Sequence, residues 1–482
     1  MYVLLLNPPY FRHYSRPQRS PAVTKSGTIY YPIWLAYAAG VLLQDGHDVW
    51  LIDAPAEDLD LDDVQGRVRS FQPQVIVVDT STPSIHNDIE VVEALKKTCP
   101  DAIVVMVGTH VSALPEQTLE MTDALDIVTR REYDLTLRDI VKTLSDNGSL
   151  ETVPGVTYRH NGQMRSTPDR DLISDLDSIP HVVDIYARYL QTEWYFNPNA
   201  LYPQVTLITS RGCPHRCSFC LFPQTLTGHR YRTRSIDDVI AELEKVPQYF
   251  PNVKAVFFED DTFVVDQKRT RELCLAIIDS QFNLPWTANC RPDVDLDTLK
   301  AMKQAGCRML CVGYESAAPS VLDSWKKHST PDRMLQFSLD AKRAGIYVHG
   351  CFLFGGVEET PQTMEQTLSL AKQLPLDTAQ FYPMMVYPGT EEYHRLRDLG
   401  YLKSEDFRNW LTPDGLHASV VDTPACSAED LVRFCDHARR QFYLRPNYLT
   451  RAVVRNITHP NQISRTVKAF RTFVRHLAKP SI

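Results

Sequence analysis

Nowhere do the 482 residues offer the ~18 to 20 uninterrupted apolar positions that a membrane-spanning helix needs. The opening MYVLLLNPPY has a short apolar run but no positive flank and no small-residue cleavage site, so it is expected to be a buried strand and not a signal peptide. Basic residues are not in excess: the formal net charge is -8, which argues against a nucleic-acid partner. No GxGxxG follows the first apolar run, which removes the usual dinucleotide fingerprint. A DxHxxG motif, whose histidine ligates cobalt in many cobalamin proteins, is also missing. With no secretory feature, the eleven cysteines are expected to be reduced thiols or metal ligands in a cytoplasmic protein. The composition is otherwise that of a globular chain of two or three domains, 43% hydrophobic and 23% charged.

Four zones follow along the chain. Residues 1–140 alternate apolar runs (YVLLLN, DVWLID, QVIVVDTST, AIVVMVGTH) with helical stretches, the pattern of a doubly wound α/β domain with strands covered on both faces. Ligands of such folds bind at strand carboxyl ends, which here carry Asn7, Asp53, Ser81 and His110. Residues 141–200 read as a connector with a β-hairpin turning at Asn161-Gly162. Residues 201–395 contain six βα units, which predicts a partial parallel (β/α)6 barrel with its chemistry at the strand carboxyl ends. Residues 396–482 read as a helical C-terminal region. Its end, from Arg451, carries Arg455, Arg465, Lys468, Arg471, Arg475 and Lys479 without an acid, beside an apolar stripe of Ile463, Val467, Phe470, Val474 and Leu477. Such a stripe docks on its own domain or makes peripheral contact with an anionic membrane.

The most specific local feature is RGCPHRCSFC, with Cys213, Cys217 and Cys220 directly after the first barrel strand. Three thiolates on a short loop suit an iron-sulfur cubane with one iron left open. Zinc would need a fourth ligand, and His215 or His229 offers one only at poor spacing.

This CxxxCxxC spacing, with Phe219 before the last cysteine, resembles the signature of the radical S-adenosylmethionine (SAM) superfamily. FFEDDTF, GCRMLCVGYES and YPGTEEY resemble the subgroup with an N-terminal cobalamin-binding-type domain, and LLLNPP, GTHVSALPE and DLDSIP resemble that domain and its linker. The cysteine loop, FFEDDTF, VGYES and STPS are also similar to hopanoid-biosynthesis enzymes of the HpnJ type. The resemblance implies a [4Fe-4S] cluster held by Cys213, Cys217 and Cys220, whose open iron chelates the amino and carboxylate groups of SAM. It implies reductive cleavage to a 5′-deoxyadenosyl radical, with electrons from a flavodoxin or ferredoxin. The reaction expected first is hydrogen abstraction from a carbohydrate-like or polyol substrate, such as an amino sugar, aminoglycoside or hopanoid head group, for rearrangement or dehydration in natural-product biosynthesis. Cobalamin-dependent methyl transfer is the alternative, and an N-terminal domain that only gates substrate is a third reading. Cobalamin is not favoured, since the HpnJ-like barrel points to chemistry without a methyl carrier.

On that scheme Glu259, Asp260, Asp261 and Glu315 are the candidate catalytic acids, with Glu259, Asp260 and Glu315 also candidate cofactor contacts. Arg291 is placed to pair with Glu315 or the SAM carboxylate, or to serve as a surface cap, while Gly355 and Gly356 would let backbone approach the adenosyl group or form a plain turn. Phe219, Ser81 and His110 complete the candidate cofactor contacts. Cys290, Cys307, Cys311 and Cys351 are expected in the core, with hydrogen-atom donation as the lesser role. Arg230, Arg232 and Arg234 are expected to pair with the acidic helix SIDDVIAELEK, holding an anionic or hydroxyl-rich substrate being the alternative.

Overall fold

The computed structural model describes residues 1–446 and 448–450. The basic stripe expected in 461–482 lies outside them. Among the described residues no helix is long and apolar enough to cross a membrane.

Seven strands form the first sheet: β1 Tyr2–Asn7, β2 Asp48–Asp53, β3 Val75–Thr80, β4 Ile103–Gly108, β5 Ile127–Thr129, β6 Val156–His160 and β7 Gln163–Ser166. Their order is β2-β1-β3-β4-β5-β6-β7, parallel through β5. The first five follow the flavodoxin-like order, whose ligand crevice opens where β1 and β3 diverge. Consecutive apolar residues in these strands serve two cores, since neighbours point to opposite faces. Val3, Leu5, Val75 and Val77 join one core, while Leu4, Leu6, Ile76 and Val78 join the other. The hairpin expected in the connector is present, with Asn161 and Gly162 at φ of 51° and 76°, the left-handed pair of a type I′ turn. It does not stand apart as a linker: β6 pairs antiparallel with β5, extending the first sheet. The apolar face of β6, Val156 and Tyr158, is buried in the core shared with the barrel, which explains that docking.

The barrel strand β8, Gln204–Leu207, is followed by the short β9, Ser210–Arg211, and β10, Arg232–Thr233, which pair antiparallel and clamp the cysteine loop between them. Then come β11 Ala255–Phe258, β12 Trp286–Cys290, β13 Cys307–Glu315, β14 Tyr347–Phe354 and β15 Thr378–Pro383. β8 and β11–β15 pair in parallel in chain order into one six-stranded sheet, an open barrel. The outer edge at β15 is covered by the helix Ala428–Tyr443. Tyr443 there donates to the carbonyl of Ala379 at 2.7 Å and accepts its N–H at 3.0 Å, consuming edge groups that would otherwise invite another strand.

Buried charge joins the two sheets. Arg232 holds Glu132 through two bonds of 2.8 Å, and Arg211 holds Asp134 at 2.8 and 3.1 Å. The Arg211 guanidinium also lies 5.0 Å from the ring centres of both Trp34 and Tyr37. Of the three alternating arginines, Arg234 pairs with Glu242 and Asp238 of the acidic helix, as expected. Arg232 reaches the first domain instead, and Arg230 is exposed.

Candidate active site

The cysteine loop leaves β9 through Gly212, at φ 85°, where a β-carbon would stand 2.2 Å from the carbonyl of Arg230. Only glycine fits so tight an exit. Cys213 and Cys217 are buried and Cys220 is partly so. Gln224 holds the loop by donating to the carbonyls of Cys220, Ser218 and Cys217 at 2.8, 3.1 and 3.3 Å. The Ser218 hydroxyl donates to Glu392 at 2.8 Å, and His229 Nδ1 lies 3.1 Å from the carbonyls of Cys213 and His215. Burial pushes the Cys213 thiol up to about 11 and raises Cys220 as well, while Arg291 and Arg19 oppose these shifts. Metal binding at such thiols must displace protons. Among the described residues no group of three or more His, Cys, Asp or Glu side chains converges to hold a single ion.

The acids at the end of β11 have three different duties. Glu259 is buried, pairs with Arg19 and has its carboxyl pushed up by burial, against which Arg19 pulls down. Asp260 corrects an expectation. Its carboxylate accepts the Thr209 N–H at 3.1 and 3.2 Å, the Thr209 hydroxyl at 2.9 Å and the Ser210 hydroxyl, so it ties β9 to β11 and is not a free acid. Asp261 accepts from the Gly212 N–H at 3.0 Å and from Thr227 at 2.7 Å, which braces the cysteine loop.

Glu315 sits at φ 67° after a register shift in β13, a bulge of the kind that re-aims a side chain beside an active site. Its partner is Lys327, at 2.9 Å, and not Arg291. Gly313 makes room for that pair, since a β-carbon there would stand 2.3 Å from Glu315 Oε1 and 3.0 Å from Lys327 Nζ. Arg291 is buried, donates to the Lys327 carbonyl, pairs with Asp293 at 3.3 Å and places Nη1 3.7 Å from the Cys217 sulfur. Phe219 packs edge-on against Trp325, ring centres 5.5 Å apart.

The two glycines after β14 make their close approach to protein. A β-carbon on Gly356 would meet the Trp325 indole nitrogen at 2.5 Å, and one on Gly355 would meet Leu431 at 2.8 Å. Glu359 accepts the Gly355 N–H at 3.4 Å and is fully buried, which pushes its carboxyl up to about 7. A carboxyl raised on folding binds its proton more tightly in the native state, so its contribution is present in acid and lost as pH climbs towards 7. Glu359→Gln should therefore flatten the fall in stability between pH 5 and 8 by roughly 2 kcal/mol, read from denaturation midpoints across that range.

Cys290, Cys307 and Cys311 are buried and Cys351 is partly so. Ser81 and His110 follow β3 and β4 at the carboxyl edge of the first sheet. The Ser81 hydroxyl is 2.9 Å from that of Tyr14, and His110 Nδ1 is 3.1 Å from the Thr82 hydroxyl. Burial pushes His110 down to about 3, so its ring is neutral. Lys327, Trp325 and Arg19 were not singled out by sequence. Lys327 stands beside Lys326 in an unremarkable polar run, and Arg19 in a loop whose composition reads as solvated.

Comparison with known proteins draws these features together. A B12 binding domain family model matches residues 19–141, and a radical SAM superfamily model matches 207–371. The uncharacterized methyltransferase PH0819 of Pyrococcus horikoshii is 32% identical over 91% of this chain and 93% of its own length. The chain belongs to the radical SAM family with an N-terminal B12-binding domain. Another member, the anaerobic magnesium-protoporphyrin IX monomethyl ester cyclase of Cereibacter sphaeroides, is 26% identical over 86% of this chain and 67% of its own. The solved radical SAM methyltransferase TsrM of Kitasatospora setae, with cobalamin and a [4Fe-4S] cluster bound, shares this family's fold at a TM-score of 0.72, covering 91% of this chain and 90% of its own at 17% identity. These relatives overturn two expectations. Hydrogen abstraction for rearrangement or dehydration is contradicted by relatives named as methyltransferases, and setting cobalamin aside is contradicted by the matched B12-binding domain.

Proposed function

We propose that this family member is a cobalamin-dependent radical SAM methyltransferase acting on a small biosynthetic molecule. The observation that carries the reading is the fusion, in one chain, of a B12-binding domain with a barrel whose mouth bears the cysteine triplet, in a protein 32% identical to an uncharacterized methyltransferase along nearly its whole length. When bound, cobalamin supplies a cobalt centre able to carry a methyl group, and a [4Fe-4S] cluster supplies an electron to SAM.

The residues present fit both groups. Cys213, Cys217 and Cys220 are three thiols on one braced loop, and Arg291 offers a donor to the Cys217 sulfur. Glu259 is the acid suited to the SAM amine. At the carboxyl edge of the first sheet, the hydroxyls of Ser81 and Thr82 and the uncharged imidazole of His110 suit a large, amide-rich ligand. Gly108 belongs to the same edge: at φ 117° a β-carbon would stand 2.4 Å from the Thr80 carbonyl, so glycine is required for β3 and β4 to end side by side.

The eleven cysteines are all unpaired, in keeping with a reducing compartment, and a flavodoxin or ferredoxin is the proposed electron donor. Protein made with ample cobalamin uptake should retain roughly one cobalt per chain, and methyl-labelled SAM should pass label to an acceptor. The assay panel takes its acceptors from relatives: bacteriochlorophyllides, cytidylylated phosphonates and hopanoids. Full turnover by cobalt-free protein would refute the reading.

A further inference from the structure

The segment joining β1 to the helix Ile33–Gln44 reaches both halves of the molecule. Ser15 donates to the Ala22 carbonyl at 3.2 Å, which folds the residues between them into a tight loop. At one end of this segment Tyr14 meets Ser81, while Arg16 donates to Asp88 at 2.7 Å, to Ser84 at 3.2 Å and to Asn7 at the end of β1. Three residues further on, at Arg19, the chain is at the barrel mouth. Arg19 pairs with the Glu259 carboxylate, donates to the Asp260 carbonyl at 2.9 Å and to the Glu259 carbonyl at 3.4 Å, and lies 5.6 Å from the Phe222 ring centre. Ser20 is anchored beside it, 2.9 Å from both the Tyr387 hydroxyl and His417 Nε2.

We propose that Arg19 is a specificity-determining residue, an internal cation that holds the Glu259 carboxylate until a ligand bringing its own ammonium displaces it. The inference rests on SAM being the ligand at this mouth. Glu259 is only 9% exposed, its Oε2 makes no hydrogen bond of good geometry, and Asn289 alone lends further help to its charge. A ligand that pushed Arg19 aside without a positive charge would strand a buried carboxylate, which is strongly unfavourable. An ammonium leaves the acid as well paired as before. Arg19 has a way out to water, because its side chain is already 31% exposed while its partner is 9% exposed.

The test uses cluster-loaded full-length protein and equilibrium dialysis with two probes, SAM and 5′-methylthioadenosine, which lacks the aminoacyl ammonium. Arg19→Met keeps the bulk and removes the charge. It should bind SAM at least about tenfold tighter, with 5′-methylthioadenosine changed by less than about threefold. SAM binding that weakens, or a SAM preference that stays at the wild-type ratio, overturns the proposal. A second readout guards against a folding defect: in the Glu259→Gln background the same Arg19→Met change should no longer tighten SAM binding, and tightening that persists there also overturns it. Wild-type protein that carries its cluster and binds no SAM refutes the underlying functional reading, whereas equal SAM binding by wild type and Arg19→Met refutes this inference alone.

Discussion

Replacing Cys213, Cys217 and Cys220 together by alanine should abolish iron retention and SAM cleavage while leaving the fold in place. Anaerobically reconstituted wild-type protein should hold about four irons per chain with the broad absorption of a cubane, and the variant close to none. The fold should survive because the loop is braced from outside the thiols. Gly212 and Asp261 fix its start, Gln224 and Glu392 hold its middle and end, and none of these contacts uses a cysteine side chain. The thiols are also costly as they stand, since burial disfavours the thiolates that a cluster needs. Serine in place of any one of them should therefore fail as thoroughly as alanine. A triple variant that keeps stoichiometric iron, or a wild type that takes up zinc and no iron, would remove the basis for the site.

How much of this could be read from sequence depends on how local each feature is. Strands such as VIVVDT and YVLLLN announce themselves by consecutive apolar residues, because both of their faces are buried. The cysteine triplet is legible for a similar reason, as its spacing alone carries the donor set. Asp260 was misjudged because a run of acids at a strand end looks alike from outside, and only the position of Thr209 and Ser210 shows which one is already saturated. Sequence left Arg291 open between Glu315, the SAM carboxylate and a surface cap; Lys327, from the loop after the next helix, takes the Glu315 carboxylate. The expected reaction followed the HpnJ-like barrel, which points away from a methyl carrier, and the relatives overturn it. A missing DxHxxG excludes one way of ligating cobalt and says nothing against the cobalamin-binding-type domain that the sequence led us to expect and that the family model matches at residues 19–141.

The other large effect is expected at a residue that touches no ligand. Glu132 is 5% exposed and satisfies three partners: both outer nitrogens of Arg232 at 2.8 Å, the N–H of Ile173 at 3.0 Å, and Arg211 at 3.7 Å. Arg232 lies 100 residues away in the barrel, so this carboxylate fastens the two sheets to each other. Glu132→Ala would leave the Arg232 charge buried and unpaired, a change that costs about 3–5 kcal/mol. Its other bonds, to the carbonyls of Ile173 and Thr227 at 2.7 Å, hold the guanidinium in place and prevent its escape to water. Arg232→Met should be harmful too, through the stranded carboxylate, but the pair Glu132→Leu with Arg232→Met should cost less than the sum of the single losses, since replacing a buried ion pair by apolar side chains is often close to neutral. Denaturant titration followed by tryptophan fluorescence can read this cycle, because Trp34 lies at the same junction against Arg211. The first unfolding transition should move in Glu132→Ala and largely recover in the double variant. Single variants whose losses simply add would mean that the two charges are not coupled, and that the sheets are held together by their shared apolar core alone.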